Sequence, residues 1–208
     1  IMGISIYFTL ASGQLSLGAA GFMSVGAYVG AMLSLKADLP IIVGIIIGGL
    51  VASLVAVIIG LPTTRLRGLY LAIATLGFGE VVRVIFLNLD VTNGALGLSG
   101  IPSIPQELTN YAYEFDIDGL MGLDAVTWGN LMAIIILLVV LALIIAFCVR
   151  INNSRVGRAF AAIKADDHAA ELMGINVVYY KMMAFIIGAF IAGIGGCLYA
   201  HITNFINP

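Results

Sequence analysis

Glu80 and Arg83 are opposite charges three residues apart, and no other charge lies as deep inside an apolar run of this chain. On a helix that spacing places the two side chains on one face, close enough to pair. At the centre of a membrane-spanning helix each would cost about 2.5–3.5 kcal/mol on insertion scales. Two chemistries fit such a pair. It can satisfy itself against a neighbouring helix, or it can line a path in which Arg83 meets a solute carboxylate and Glu80 an ammonium. Gln14 and Ser16 are the second candidate, in a stretch where Gly13 and Gly18 interrupt apolar sequence. Non-helical backbone at membrane depth is tolerated where it faces a cavity; a plain cytoplasmic turn fits the same residues equally well.

Other chemistry is absent from the sequence. There is no G-x-x-x-x-G-K-S/T, and no glycine is followed by lysine. Gly77-Phe78-Gly79 opens a dinucleotide-type pattern but has Val82 where the third glycine would stand. There is no H-E-x-x-H, and His168 and His201 lie far apart, on opposite sides of the expected bilayer. Cys148 and Cys197 sit inside apolar runs and read as small hydrophobes. Gly97-Leu98-Ser99-Gly100 lacks the closing glycine of a nucleophile elbow. Asn152-Asn153-Ser154 matches a glycosylation acceptor but falls on the cytoplasmic side. We therefore expect no catalytic residue, no metal site and no cofactor bound by this chain. No nucleic-acid partner is expected either.

The elements that must position these residues follow from composition. The chain is 62% hydrophobic and 10% charged, with a mean hydropathy of +1.13. Soluble domains carry about 25% charged residues. The apolar residues fall in blocks about 20 long, the length a helix needs to cross hydrocarbon. The expected fold is all-α: a polytopic transmembrane helical bundle in the lipid bilayer, with about five full spans plus a partial N-terminal helix. We mark the spans at 1–12 (partial), 18–35, 41–61, 69–89, 128–149 and 181–201. The opening at Ile1 without a basic leader reads as a cut helix rather than a signal peptide, and Asn207-Pro208 as a second cut, so 1–208 is taken as a fragment of one transmembrane domain.

Lys36, Asp38 and Pro40 separate the first two full spans; Pro62 with Arg65 and Arg67 closes the next; Trp128 opens the fifth at headgroup depth. Arg150, Arg155, Arg158, Lys164 and Lys181 fall in segment 150–181. Segment 90–127 carries Asp90, Glu107, Glu114, Asp116, Asp118 and Asp124 and no basic residue. The Lys/Arg bias places 62–68 and 150–181 in the cytoplasm and 36–40 and 90–127 outside, and every span then alternates.

Two spans carry small residues at a strict four-residue spacing: Gly44, Gly48, Ala52, Ala56 and Gly60, then Ala184, Gly188, Ala192, Gly196 and Ala200. That spacing forms a ridge against which another backbone can approach closely. Helix packing is the expected role; sliding during gating fits the same pattern.

Segment 150–181 is longer than a connection needs, since most are about 4–6 residues. Ser154 can cap a helix that sets Val156, Phe160 and Ile163 on one face, with Arg155, Arg158 and Lys164 elsewhere. Asp166 can cap a second helix through Ala169, Ala170, Glu171, Leu172 and Met173, with Gly174 at the left-handed C′ position and Ile175 as its apolar partner. A basic helix lying on anionic headgroups fits this segment, as does a docking element for a cytoplasmic partner.

The run Ser154-Arg155-Val156-Gly157-Arg158-Ala159, Ala162-Ile163-Lys164, Asp166-Asp167 and Ala169-Ala170-Glu171-Leu172-Met173-Gly174-Ile175-Asn176 resembles the cytoplasmic loop of branched-chain amino acid ABC permeases. Gly13-Gln14-Leu15-Ser16-Leu17-Gly18, Thr92-Asn93-Gly94 and Gly97-Leu98-Ser99-Gly100-Ile101-Pro102 are similar to the same family. So is the continuation from Tyr180-Lys181 to Leu198-Tyr199-Ala200. The likeness weakens only in 103–127, and it is greater to the permease type with the longer external segment. Ala159-Phe160-Ala161 and His168 depart from the pattern.

The resemblance implies import of branched-chain or hydrophobic amino acids across a prokaryotic inner membrane. It further implies a second homologous permease, two cytoplasmic ATPase subunits holding ATP-Mg, and an external substrate-binding protein. Carried over residue by residue, Asp166, Asp167, Ala169, Ala170, Glu171, Leu172, Met173 and Gly174 would form the helix that couples to the ATPase. The stretch 93–102 would lie outside, where a binding protein could dock or a mobile loop could sit. From the residues alone, an ATPase-independent secondary transporter or channel for small polar solutes stays open, although its usual second broken helix is missing.

Overall fold

The small-residue ridges decide the architecture. In a computed structural model of the chain, which describes residues 1–37, 39–63, 66, 68–114 and 124–208 (side chains of 111–114 and 125 excepted), three long helices meet through them: α2 (Ala19–Lys36), α3 (Ile41–Thr63) and α9 (Val177–Thr203). Gly44, Gly48, Ala52, Ala56 and Gly60 are all buried on α3, and Ala184, Gly188, Ala192, Gly196 and Ala200 are all buried on α9. The fit leaves no space for side chains. A methyl group on Gly48 would stand 2.9 Å from the Gly26 carbonyl oxygen, and one on Gly193 would stand 2.7 Å from the Ala52 Cβ. With little hydrophobic drive between helices in lipid, such backbone approach is what brings them together.

The short apolar helix α1 (Met2–Ala11) joins this core through Ser5, whose Oγ donates to the Gly188 carbonyl at 2.8 Å. Helix α4 (Leu69–Asn88) leans on α2, with Phe22 and Phe78 ring centroids 4.9 Å apart and Tyr28 stacked on Phe86 at 4.2 Å. Helix α6 (Ala125–Asn152) lies furthest out, against α5 (Ile104–Glu114) and α9. Among the described residues five helices are long and apolar enough to cross a membrane: α2, α3, α4, α6 and α9. Most of the described residues are helical, as the sequence led us to expect.

Two elements of the expected external segment were not anticipated. Leu98–Ser99 (β1) pairs antiparallel with Phe205–Ile206 (β2), with Leu98 opposite Ile206. Leu98, Ile101 and Ile206 are buried with Ala27, Tyr28, Ala31 and Ala200, so 93–102 is seated on the bundle rather than a free loop. Two-residue strands leave no periodicity to read; only the left-handed backbone at Gly97 (φ 71°) and Gly100 (φ 77°) marks the bends around β1. Helix α5 did carry a signal. Ser103 stands three residues before Gln106, with Pro105 in the first turn. Its Ile104 and Leu108 pack with Ala133 and Leu198.

The bundle has two distinct ends. Gly60 of α3 and Met182 of α9 meet at one end, where the Tyr7 hydroxyl also accepts a hydrogen bond from Asn152 Nδ2 at 2.8 Å. The β1–β2 ribbon caps the other, where Ser34 and His201 share a buried hydrogen bond at 3.0 Å. Asp38, Arg65, Arg67, Asp116 and Asp118, and the side chain of Glu114, lie outside what is described.

Candidate functional site

At the end that gathers Gly60, Met182 and Asn152, α6 runs into two short helices that pack against the end of the bundle. Ser154 begins α7 (Arg155–Ala165), its Oγ accepting from the Val156 amide at 3.1 Å. One turn-spaced face of α7 is apolar. Ala159, Phe160 and Ile163 are buried, and the Phe160 ring meets Tyr180 of α9 edge-on at 6.3 Å between centroids. Arg155, Arg158 and Lys164 remain exposed. The apolar face thus anchors α7 to the bundle while its cations face away.

Helix α8 (Asp167–Leu172) follows at once, with both ends closed. Asp166 accepts from the His168 amide at 2.8 Å and the Ala169 amide at 3.2 Å. These backbone N–H groups, Ala169 first, hold the Asp166 carboxyl below its ordinary pKa, because a bonded carboxylate resists protonation. At the other end Gly174 adopts φ 81°. Its N–H donates to the Glu171 carbonyl and the Ile175 N–H to the Ala170 carbonyl, a paired closure that satisfies two terminal carbonyls.

The faces of α8 differ sharply. Ala170 is buried, and Asp167, one turn earlier, pairs with Lys181 of α9. Ala169, Glu171 and Gly174 are exposed, and Leu172 and Met173 are 89% and 83% exposed. No other large apolar side chain among the described residues stands out as far as this adjacent pair. On a capped turn whose other face meets α9, it can enter a partner's apolar groove.

Glu80 and Arg83 are placed elsewhere. Arg83 Nε lies 3.1 Å from both carboxylate oxygens of Glu80, and the side chains are 60% (Glu80) and 52% (Arg83) exposed on α4. They line an open groove of about 300 Å³ between α2 and α4, with Gly21, Ser24, Phe86, Asn207 and Pro208. The self-paired arrangement and the groove-lining one therefore coexist.

Gln14 and Ser16 are buried, at 4% and 5% exposure, in the non-helical link between α1 and α2. The link alternates: Ser12, Gln14, Ser16 and Gly18 face inward, and Leu15 and Leu17 outward. Ser16 borders a small cavity with Ser5 and Thr9, and the Leu17 amide donates to Thr75 Oγ1 at 2.9 Å. Polar groups inside and leucines outside are the pattern of a chain whose interior is the more polar side. Gln14 and Ser16 do not line the Glu80–Arg83 groove, although Leu17 of the same link does. Among the described residues no group of His, Cys, Asp and Glu could hold a metal ion.

Five apolar helices of spanning length with a polar element between two of them define a multi-pass membrane protein. The chain belongs to the branched-chain amino acid transport system permease component family, which matches residues 1–208. It is 34% identical to the high-affinity branched-chain amino acid transport system permease protein LivM of Salmonella typhimurium, and 35% identical to LivM of Escherichia coli, each over 100% of this chain and 50% of the relative. It is 35% identical to LivH of Escherichia coli over 37% of this chain and 25% of that protein. The chain thus spans about half the length of the LivM proteins it matches. No solved structure matches it.

Proposed function

We propose that this chain is part of a permease subunit of an ATP-driven importer that carries branched-chain or other hydrophobic amino acids into the cytoplasm of a prokaryote. Its partners are a second homologous permease, two ATPase subunits that hold ATP-Mg, and an external substrate-binding protein. The family and the LivM relatives, named for branched-chain amino acid transport, support the substrate class. The match of one stretch to LivH, also named a permease of such a system, supports a homologous permease partner.

The observation that carries the reading is the tip of α8. A turn closed at both ends, with Leu172 and Met173 bare beside the capped Asp166, presents an adjacent apolar pair for a partner to cover. An ATPase subunit is that cover, with 166–174 docking in its groove. The arrangement of ends supports 62–68 and 150–181 on the cytoplasmic side and 36–40 and 90–127 outside, in an inner membrane. On this orientation the β1–β2 ribbon faces the binding protein, and the Glu80–Arg83 groove is closed by the second permease to form part of the path.

Co-purification from native membranes in mild detergent tests the docking. The full-length parent should bring down an ATPase subunit and a second permease. Glu171→Pro, which breaks α8, should lose the ATPase at equal membrane abundance. A parent that carries no ATPase under conditions that preserve other such complexes would favour a secondary transporter or channel instead.

A further inference from the structure

We propose that Lys181 is a positioning residue: it ties α8 to α9, so that movement imposed on the one is passed to the other. The proposal rests on the reading of α8 as the ATPase-docking element. Its geometric basis is the ion pair between Lys181 Nζ and Asp167 Oδ2, whose side chains are only 12% and 27% exposed.

A helix of six residues does not hold its place unaided, because isolated helices shorter than about 12–15 residues are marginal in water. Its caps at Asp166 and Gly174 satisfy its own terminal groups, but they do not fix where it points. The covalent route onward to α9 passes through Gly174 in the left-handed region and Asn176 in extended backbone, with no helical residue between. What ties α8 to α9 is its inner face, Asp167 and Ala170 one turn apart; at its other end α8 is joined to α7 through Asp166. Ala170 offers a single methyl group, which packs without preferred direction. The Asp167 carboxylate is directional, and its partner is on α9.

Lys181 stands three residues before Ala184, where the buried ridge of α9 begins. From there α9 packs against α1, α2 and α3 along its length and continues into β2 at the opposite end. Its 27 residues make a rod about 40 Å long at 1.5 Å per residue. A displacement applied to Leu172 and Met173 therefore has a short route into the core: across one solvent-shielded charge contact, then along a helix whose close packing forbids independent bending. Surface ion pairs add little to stability, and none is needed here. The pair fixes an angle.

The test uses the full-length parent in its complete complex, reconstituted in proteoliposomes, with ATP hydrolysis and amino acid uptake measured on the same vesicles. Lys181→Met should keep the ATPase subunit bound and hydrolysing while uptake per ATP falls roughly fivefold or more, the scale of an ordinary coupling between sites. Amide exchange in 167–173 should quicken while 184–200 stays protected. Lys181→Arg should restore both. If Lys181→Met does not reach the membrane, Asp167→Asn breaks the pair from the other side and is scored by the same ratio. Unchanged uptake per ATP in an intact complex overturns the positioning role alone, as does an equal fall in Lys181→Arg. A wild-type complex that retains no ATPase overturns the docking reading and this proposal with it.

Discussion

Helices α9 and α6 are of nearly equal length, 27 and 28 residues, and either is apolar enough to span a membrane. They are used in opposite ways. In α9, 56% of the most apolar 18-residue stretch is buried inside the bundle; in α6 the figure is 11%. Yet α6 is the more hydropathic of the two. In water the greasier helix would sit in the centre. In a bilayer lipid is as apolar as leucine, so hydropathy says that a helix crosses and nothing about what it packs against. Residue size says that. The sequence of α9 runs Gly188, Ala189, Ala192, Gly193, Gly195 and Gly196, and a neighbouring backbone reaches it; α6 runs through Ile134, Ile135, Leu138, Val139 and Leu143, all of which stand outward.

The strongest attempt to break this comparison exchanges size at one point in each helix. Gly193→Leu puts a branched side chain where even a methyl would lie 2.7 Å from Ala52 and 3.1 Å from the Gly48 carbonyl. Overpacking of this kind costs typically about 1–3 kcal/mol and occasionally more, and here backbone rather than a pliable side chain blocks relief. Leu138→Ala removes volume from a residue 59% exposed and should stay within about 0.5 kcal/mol. Thermal unfolding of the full-length protein in detergent should show a large loss for the first and almost none for the second. Equal damage from Leu138→Ala would mean that the complete assembly covers α6, and the division into core and periphery would fail.

The same physics explains what could be read from the residues beforehand. The spans, the four-residue ridges and both caps of α8 announce themselves because each depends on a local pattern: a long apolar run, a fixed spacing, a carboxylate three residues before an amide it can accept. The β1–β2 ribbon depends on a long-range meeting of Leu98 with Ile206, and two residues per strand leave no alternation to detect. The Asp167–Lys181 pair was hidden for a related reason. Fourteen residues apart in sequence, the two meet only because α8 folds back on α9, and spacing gives no sign of that. The inward turn of Ser12, Gln14 and Ser16 was half legible: the glycines marked a break, but not which side of it would be buried.

Glu80 sharpens the comparison from the other direction, because α4 is peripheral like α6 yet bears charge. Only 28% of its most apolar stretch is buried, and its groove is open. A charge pair left facing lipid is expensive, and on the proposed function the groove and the second permease meet it there. Glu80→Gln keeps shape and removes charge. It should lower uptake about tenfold, in line with the roughly 1.5–3 kcal/mol of a hydrogen bond to a charged group, while membrane abundance stays at the wild-type level. Loss of the protein itself would move Glu80 to the structural class of Gly193.

The smallest expected effect separates the two short helices from the spans by pH. The core ridges contain nothing that titrates, and the Ser154 hydroxyl that caps α7 does not titrate either. Asp166 does, and the Ala169 and His168 amides hold its carboxyl below the ordinary value. A group whose folded pKa is depressed contributes in full above its unfolded pKa, about 3.9 for Asp, and loses that contribution as pH falls through the folded value. Amide exchange at 167–172, corrected for its intrinsic pH dependence, should thus show constant protection from pH 8 to about 5 and a modest loss only in stronger acid. Asp166→Ala should show the same few-fold loss at every pH and leave 155–165 and 184–200 unchanged. If α8 instead loosens near neutrality, its N-terminal cap is not what holds it.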